Sequence, residues 1–176
     1  MWIELLFTDN ILNKCDLKNY MKTSYKKGLG FGLTSGVITT LGLIVGLDSS
    51  THSKSLVIGG ILIIALADAL SDAFGMHISE ESQINISERS IWEATLSTFI
   101  FKLLFALSFL VPILLFELQK AIIISILWAI MVVSFFSVHL AKEEKIPVWK
   151  VVGEHLAIMF VVVILTHLVG LLVSSI

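Results

Sequence analysis

Asp68 and Asp72 lie four residues apart in the segment GGILIIALADALSDAFGMHISEES, residues 59–82. On a helix this spacing puts both carboxylates on one face. The surrounding residues are apolar enough to lie in a membrane, where a carboxylate is costly and marks a functional site by default. If both ionise they repel, so one holds a proton unless a cation sits between them. That is the physics of a proton–cation exchange site. Carboxylate oxygens suit hard cations such as Mn²⁺, Fe²⁺, Ca²⁺ or Mg²⁺. Met76 continues the same face and adds a thioether, which suits Fe²⁺ and other transition metals better than Ca²⁺ or Mg²⁺. His77 points to the opposite side and reads as a packing residue. The competing reading of Asp68 and Asp72 is a structural pair, hydrogen-bonded to hydroxyls of the preceding apolar segment.

That preceding segment carries Thr34, Ser35, Thr39 and Thr40. These hydroxyls either bond back to their own helix carbonyls or line a polar path, with Ser35 and Thr39 the candidates for the path. Beyond Met76 the chain becomes acidic. Glu80, Glu81, Glu88 and Glu93, joined by Glu154 near the end of the chain, form a cluster where a path would open and could concentrate cations by electrostatic focusing. Solvated helix ends would look the same. Lys102 lies inside another apolar stretch and either snorkels to the surface or pairs with an acid of residues 59–82. His167 reads as hydrogen-bonded packing.

The elements that must position these groups follow from composition. Of the 176 residues, 56% are hydrophobic and 15% charged. A soluble domain is about 45–50% apolar and about 25% charged, so the chain reads as an all-α integral membrane protein. Soluble enzymes, disordered chains and nucleic-acid binders fit poorly. Crossing the hydrocarbon layer takes roughly 20 apolar residues, and five stretches qualify: 28–47, 55–79, 94–116, 121–140 and 151–175 (spans 1 to 5). Strand alternation is absent, which disfavours a β-barrel. Residues 1–27 form a separate segment. MWIELLF is too short and too quickly followed by Asp9 and Asn10 for a signal peptide. Instead Trp2, Ile3, Leu6, Phe7, Ile11 and Leu12 against Lys14, Lys18 and Lys22 predict an amphipathic interfacial helix.

Basic residues set orientation. With the N-terminus inside, nine of the twelve lysines and arginines fall on the cytoplasmic side and two outside, with Lys102 in span 3. The expectation is N-in and C-out, with Trp92 and Trp149 at cytoplasmic helix starts. Pro112 is expected to kink span 3, and Pro147 to precede span 5. In span 1, Gly28, Gly32 and Gly36 recur every fourth residue, as do Gly42 and Gly46. Such stripes let another helix approach closely, within one protomer or across a dimer. The lone Cys15 excludes an intrachain disulfide.

Several segments together resemble the vacuolar iron transporter family. Residues 30–47, GFGLTSGVITTLGLIVGL, are similar to that family's G-x-N-D-G-I-V-S-T-x-x-L-V-x-G. Residues 67–83, ADALSDAFGMHISEESQ, are similar to A-x-A-x-S-M-A-x-G-E-Y-x-S-x-x-S-Q, chiefly through Ser71, Ala73, Gly75 and Ser79. Pro112 and Gly170 fall where the family has a proline and a glycine. The resemblance covers nearly all of residues 28–176. It implies a homodimeric transporter of Fe²⁺ or Mn²⁺, moved out of the cytosol in exchange for protons. No tightly bound cofactor is expected, and the expected location is a prokaryotic cell membrane. The resemblance also implies that the metal is carried by a span 1 aspartate, a span 2 methionine and cytoplasmic glutamates. This chain departs at those points. Ser35 stands at the aspartate position, Asp72 at the methionine position and Met76 at the acidic position, and the insert between spans 2 and 3 is short.

Two other readings compete. Asp68-x-x-x-Asp72 matches the end of a lipid phosphotransferase motif, but the first half of that motif is missing, and no membrane-protease motif is present. The chain is therefore not read as an enzyme. A scaffold or metal sensor that keeps the fold without transporting is the stronger rival. It gains if the aspartates are sealed against hydroxyls, whereas transport gains if they face a cavity.

Overall fold

In a computed structural model, residues 2–84 and 86–176 are described, with side chains from residue 23 onward. The described residues form six helices: α1 (Trp2–Thr51), α2 (Lys54–Glu81), α3 (Glu88–Ser108), α4 (Leu110–Leu115), α5 (Leu118–Glu143) and α6 (Val148–Ser174). Among the described residues there is no strand. Five helical stretches are long and apolar enough to cross a membrane: 23–51, 54–81, 88–115, 118–143 and 148–174. They overlap the five expected spans and start one to six residues before them; the third and fifth end one residue earlier than expected. The protein is a multi-pass membrane protein. Helix α1 passes residues 27 and 28 without a break. The side chains on which the amphipathic reading of residues 1–27 rests lie, up to residue 22, outside the described residues.

The third span is broken where proline dictates. Pro112 has no N–H to give the carbonyl of Ser108, and α3 ends at Ser108 before the chain resumes as α4. The Ser108 hydroxyl accepts the Trp128 indole N–H at 3.0 Å, tying the break to α5. Lys54, at the start of α2, donates to the carbonyls of Leu114 and Phe116 at 3.3 and 2.9 Å, which holds the end of α4.

Helix α1 is the axis of the bundle and packs against α2, α3, α5 and α6. Its glycines explain how. Residues 28, 32 and 36 share one stripe, whereas 42 and 46 fall on another because six residues advance the helix by about 600°. A Cβ on Gly28 would lie 1.9 Å from Ser97 Oγ and 2.4 Å from the Ala94 carbonyl, and one on Gly32 would lie 2.6 Å from the Thr98 carbonyl. The first stripe therefore seats α3 directly on the α1 backbone. The second faces α6, where a Cβ on Gly170 would come within 2.5 Å of the Gly46 carbonyl. Both stripes are used within one protomer.

Three membrane histidines also make cross-helix bonds. His77 Nδ1 meets Thr95 Oγ1 at 3.1 Å, His155 Nδ1 meets Ser137 Oγ at 2.7 Å, and His167 Nδ1 meets Ser49 Oγ at 2.6 Å. In each case the hydroxyl already donates to a carbonyl of its own helix, at Ile91, Val133 and Val45 respectively. A hydroxyl has one proton to give. With the hydroxyl proton on its own helix carbonyl, Nδ1 is the donor in each pair. His77 and His167 are packing residues, in line with the expectation from sequence.

The tight α1–α3 seam predicts a selective response to a single methyl group. Gly32→Ala should cost about 1–3 kcal/mol through backbone displacement. Gly153→Ala, where a Cβ meets nothing within 4 Å, should be neutral or slightly stabilising. Thermal unfolding of both variants in detergent checks this.

Candidate functional site

The α1–α3 contact delivers one side chain that the glycine spacing alone does not reveal. Gly36 lies against the backbone of Lys102, where a Cβ would sit 2.9 Å from the Lys102 carbonyl. With α3 this close, the Lys102 side chain reaches past α1 to α2. Its ammonium lies 2.6 Å from Asp68 Oδ2, contacts Asp72 Oδ2, and donates to Ser35 Oγ at 2.9 Å. An ammonium has three protons, so each has an acceptor. Ser35 passes its own proton to Asp72 Oδ2 at 2.8 Å. The Thr39 hydroxyl lies 3.1 Å from Asp68 Oδ2 and 2.8 Å from the Ser35 carbonyl.

Of the alternatives open for Lys102, the structure selects pairing, and with both acids at once. The cation that the two carboxylates call for is a tethered one. The cluster carries two negative charges and one positive charge when fully ionised. The lysine is sealed, with 2% of its side chain exposed, while Asp68 and Asp72 remain 28% and 22% exposed. On both carboxylates the bonds from Lys102, Ser35 and Thr39 fall on the Oδ2 oxygen.

The open side of Asp68 faces a groove of about 670 Å³ between α1 and α2. It begins at Ser55 and Leu56, runs past Gly59 and Gly60, and ends at Asp68 and Ser71. From Ser55 to Asp68 the helix rises about 20 Å. The groove is apolar apart from Ser55, Ser71 and the carboxylate itself.

On the other side of Asp72 the same helix face continues through Met76, half-buried, to Glu80. Residues 68, 72, 76 and 80 form one unbroken series of fourth residues. Glu80 is 2% exposed. Its Oε1 accepts from Lys27 at 3.1 Å and from Gln83 at 3.0 Å, while its Oε2 is buried with no hydrogen-bond partner. Glu80 lies two helical turns, about 12 Å, from Asp72.

The expected acidic cluster thus divides. Only Glu80 points inward. Glu81, Glu88 and Glu154 are exposed, and Glu93 pairs with Arg89 at 3.1 Å. The sequence contained the signal that separates Glu80 from its neighbours, since it continues the spacing of Asp68, Asp72 and Met76. Lys27, one of five lysines in the first 27 residues, carried no such signal. Among the described residues no group of three or more His, Cys, Asp or Glu side chains converges as a metal site.

The chain matches no protein-family model, no curated protein and no solved structure. The resemblance to the vacuolar iron transporters therefore rests on the motif residues alone.

The cluster predicts a strongly coupled pair of substitutions. Lys102→Met leaves two facing carboxylates with no cation and should destabilise by about 3–5 kcal/mol, the cost of breaking a buried pair from one side. Adding Asp68→Asn and Asp72→Asn should restore most of that loss. Unfolding titrations of the single and triple variants measure the coupling, and equal losses in both would show that the charges do not interact.

Proposed function

We propose that the protein is a proton-coupled carrier of divalent transition-metal ions, Fe²⁺ or Mn²⁺, that exports them from the cytosol. The observation that carries this reading is that Asp68 and Asp72 converge on a single cation while both stay partly open. Carboxylates at this depth need a proton, an ammonium or a metal ion beside them. A site that can exchange those occupants is what proton–cation antiport requires. Access is compatible from both ends. The series Glu80, Met76, Asp72 leads inward from one end, and the groove between α1 and α2 leads from Asp68 toward the other.

In this reading the end with Lys26, Lys27 and the 81–88 loop is cytoplasmic, in keeping with the distribution of basic residues. Glu80 receives the ion and Met76 supplies a soft ligand on the way. The metal replaces the Lys102 ammonium between Asp68 and Asp72.

The functional unit is a homodimer. The glycines of α1 are occupied by α3 and α6, but α2 keeps an exposed small-residue stripe of Ala67, Ser71, Gly75 and Ser79. A Cβ on Gly75 would meet nothing within 4 Å. A second copy docked there would cover the open sides of both aspartates, which lie on the adjoining face of α2.

A non-transporting scaffold or sensor is the second reading. It is favoured by the complete satisfaction of the Lys102 ammonium. Uptake into proteoliposomes separates the two. The wild type should accumulate Mn²⁺ or Fe²⁺ in a manner that depends on the pH gradient, and should discriminate against Ca²⁺. Asp72→Asn should abolish that uptake while the dimer still assembles. Folded wild-type protein that moves none of the three ions under any gradient supports the scaffold, and unchanged uptake by Asp72→Asn removes the assigned site.

A further inference from the structure

Helices α3 and α5 both lean on α1 but make little contact with each other. The gap between them is a groove of about 810 Å³, floored by Leu29 and Leu33 and walled by Phe101, Phe105, Phe135 and Phe136. Trp128 lies at its deep end, and its N–H is already committed to Ser108. Along α5 the distance from Trp128 to Glu143 is 15 residues, about 22 Å. One leaflet of hydrocarbon is about 15 Å deep. The groove therefore runs from the membrane interface to beyond the bilayer middle, the reach of an extended acyl chain.

The rim is charged and carries both signs. Lys26 Nζ lies 2.6 Å from Glu143 Oε1, and His139 Nε2 lies 3.7 Å from the same oxygen. The side chains of Lys26 and Glu143 are 45% and 39% exposed. Ion pairs this open contribute little and exchange partners readily. An amphiphile whose head holds an anion beside a cation can replace each partner with a better one.

We propose that this groove is a specific site for a phospholipid with a phosphoethanolamine head. One acyl chain lies between the aromatic walls, the phosphate faces Lys26, and the primary ammonium faces Glu143. The head is chosen by charge complementarity. A quaternary choline has no N–H to give the Glu143 carboxylate. A purely anionic head leaves Glu143 facing like charge. The aromatic walls, unlike a generic lipid-facing surface, form a cleft of the size that holds one ligand. This assignment does not depend on what the protein transports.

Trp128 provides the reporter. The chain has four tryptophans, so Trp2→Phe, Trp92→Phe and Trp149→Phe together leave Trp128 alone in the full-length protein. In phosphatidylcholine nanodiscs, a brominated-chain phosphatidylethanolamine should quench Trp128 at a mole fraction about fivefold lower than brominated phosphatidylcholine or brominated phosphatidylglycerol, the discrimination expected from exchanging an exposed pair for charge-assisted bonds. Glu143→Gln and Lys26→Gln, both at the exposed rim, should each reduce that preference to within twofold while the circular dichroism is unchanged. Equal quenching by the three lipids would reduce the groove to ordinary lipid-facing surface and overturn the proposal. Preference for phosphatidylglycerol would overturn it in favour of an anionic-lipid site, and a preference that survives both substitutions would overturn the assigned head contacts.

Discussion

An ammonium inside the hydrocarbon layer must be neutralised by partners that the fold brings to it, and much of this structure follows from how Lys102 is accommodated. Its partners are on α2, while the lysine is on α3 with α1 beside both. Only a helix without side chains at the crossing lets α3 come close enough. Gly28, Gly32 and Gly36 provide that crossing, and Gly36 lies against Lys102 itself. Ser35, next in sequence, faces the ammonium and accepts its third proton. Packing and electrostatics are thus one device. The glycine stripe makes the contact, and the contact makes a buried charge affordable.

The same geometry gives α2 two different faces. One carries Asp68, Asp72, Met76 and Glu80 toward α1 and α3, with each acid opposed by a lysine from a neighbouring helix. Lys27 lies near the start of the first spanning stretch and Lys102 near the middle of the third, so the two ion pairs sit about 12 Å apart along the series. The adjoining face carries small residues that nothing in the protomer covers. Charges are held inward, and the surface beside them is left smooth.

Much of this was legible in the sequence. Five apolar stretches became five spanning helices, and Pro112 broke the third at the residues its missing N–H dictates. Asp68 and Asp72 were recognisable because carboxylates in such a segment are costly and must be met by a partner. What pairing Lys102 would choose was not legible, because it depends on the crossing distance of two helices, and a lysine eight residues into a span can equally well snorkel. Glu80 could be told from Glu81 only by the fourth-residue spacing it shares with Asp68, Asp72 and Met76, a signal the sequence held but that the neighbouring glutamates masked. The two differ by 100° around a helix, which decides burial only once the neighbours are in place. The role of the glycines divided at Gly42 for a similar reason, since the stripe changes face between residues 36 and 42 and therefore changes partner.

The exposure of the two aspartates constrains how the protein can exist in a membrane. About a quarter of each side chain is open, beside a groove that is otherwise apolar. Lipid tails offer no hydrogen bond to a carboxylate oxygen, and each unsatisfied polar group at that depth costs several kcal/mol. Water entering along the groove, an ion resting on the free oxygens, or a second copy laid over the α2 stripe each relieves that cost. The imbalance between a sealed lysine and open carboxylates is the physical reason to regard the cluster as a place where occupants exchange.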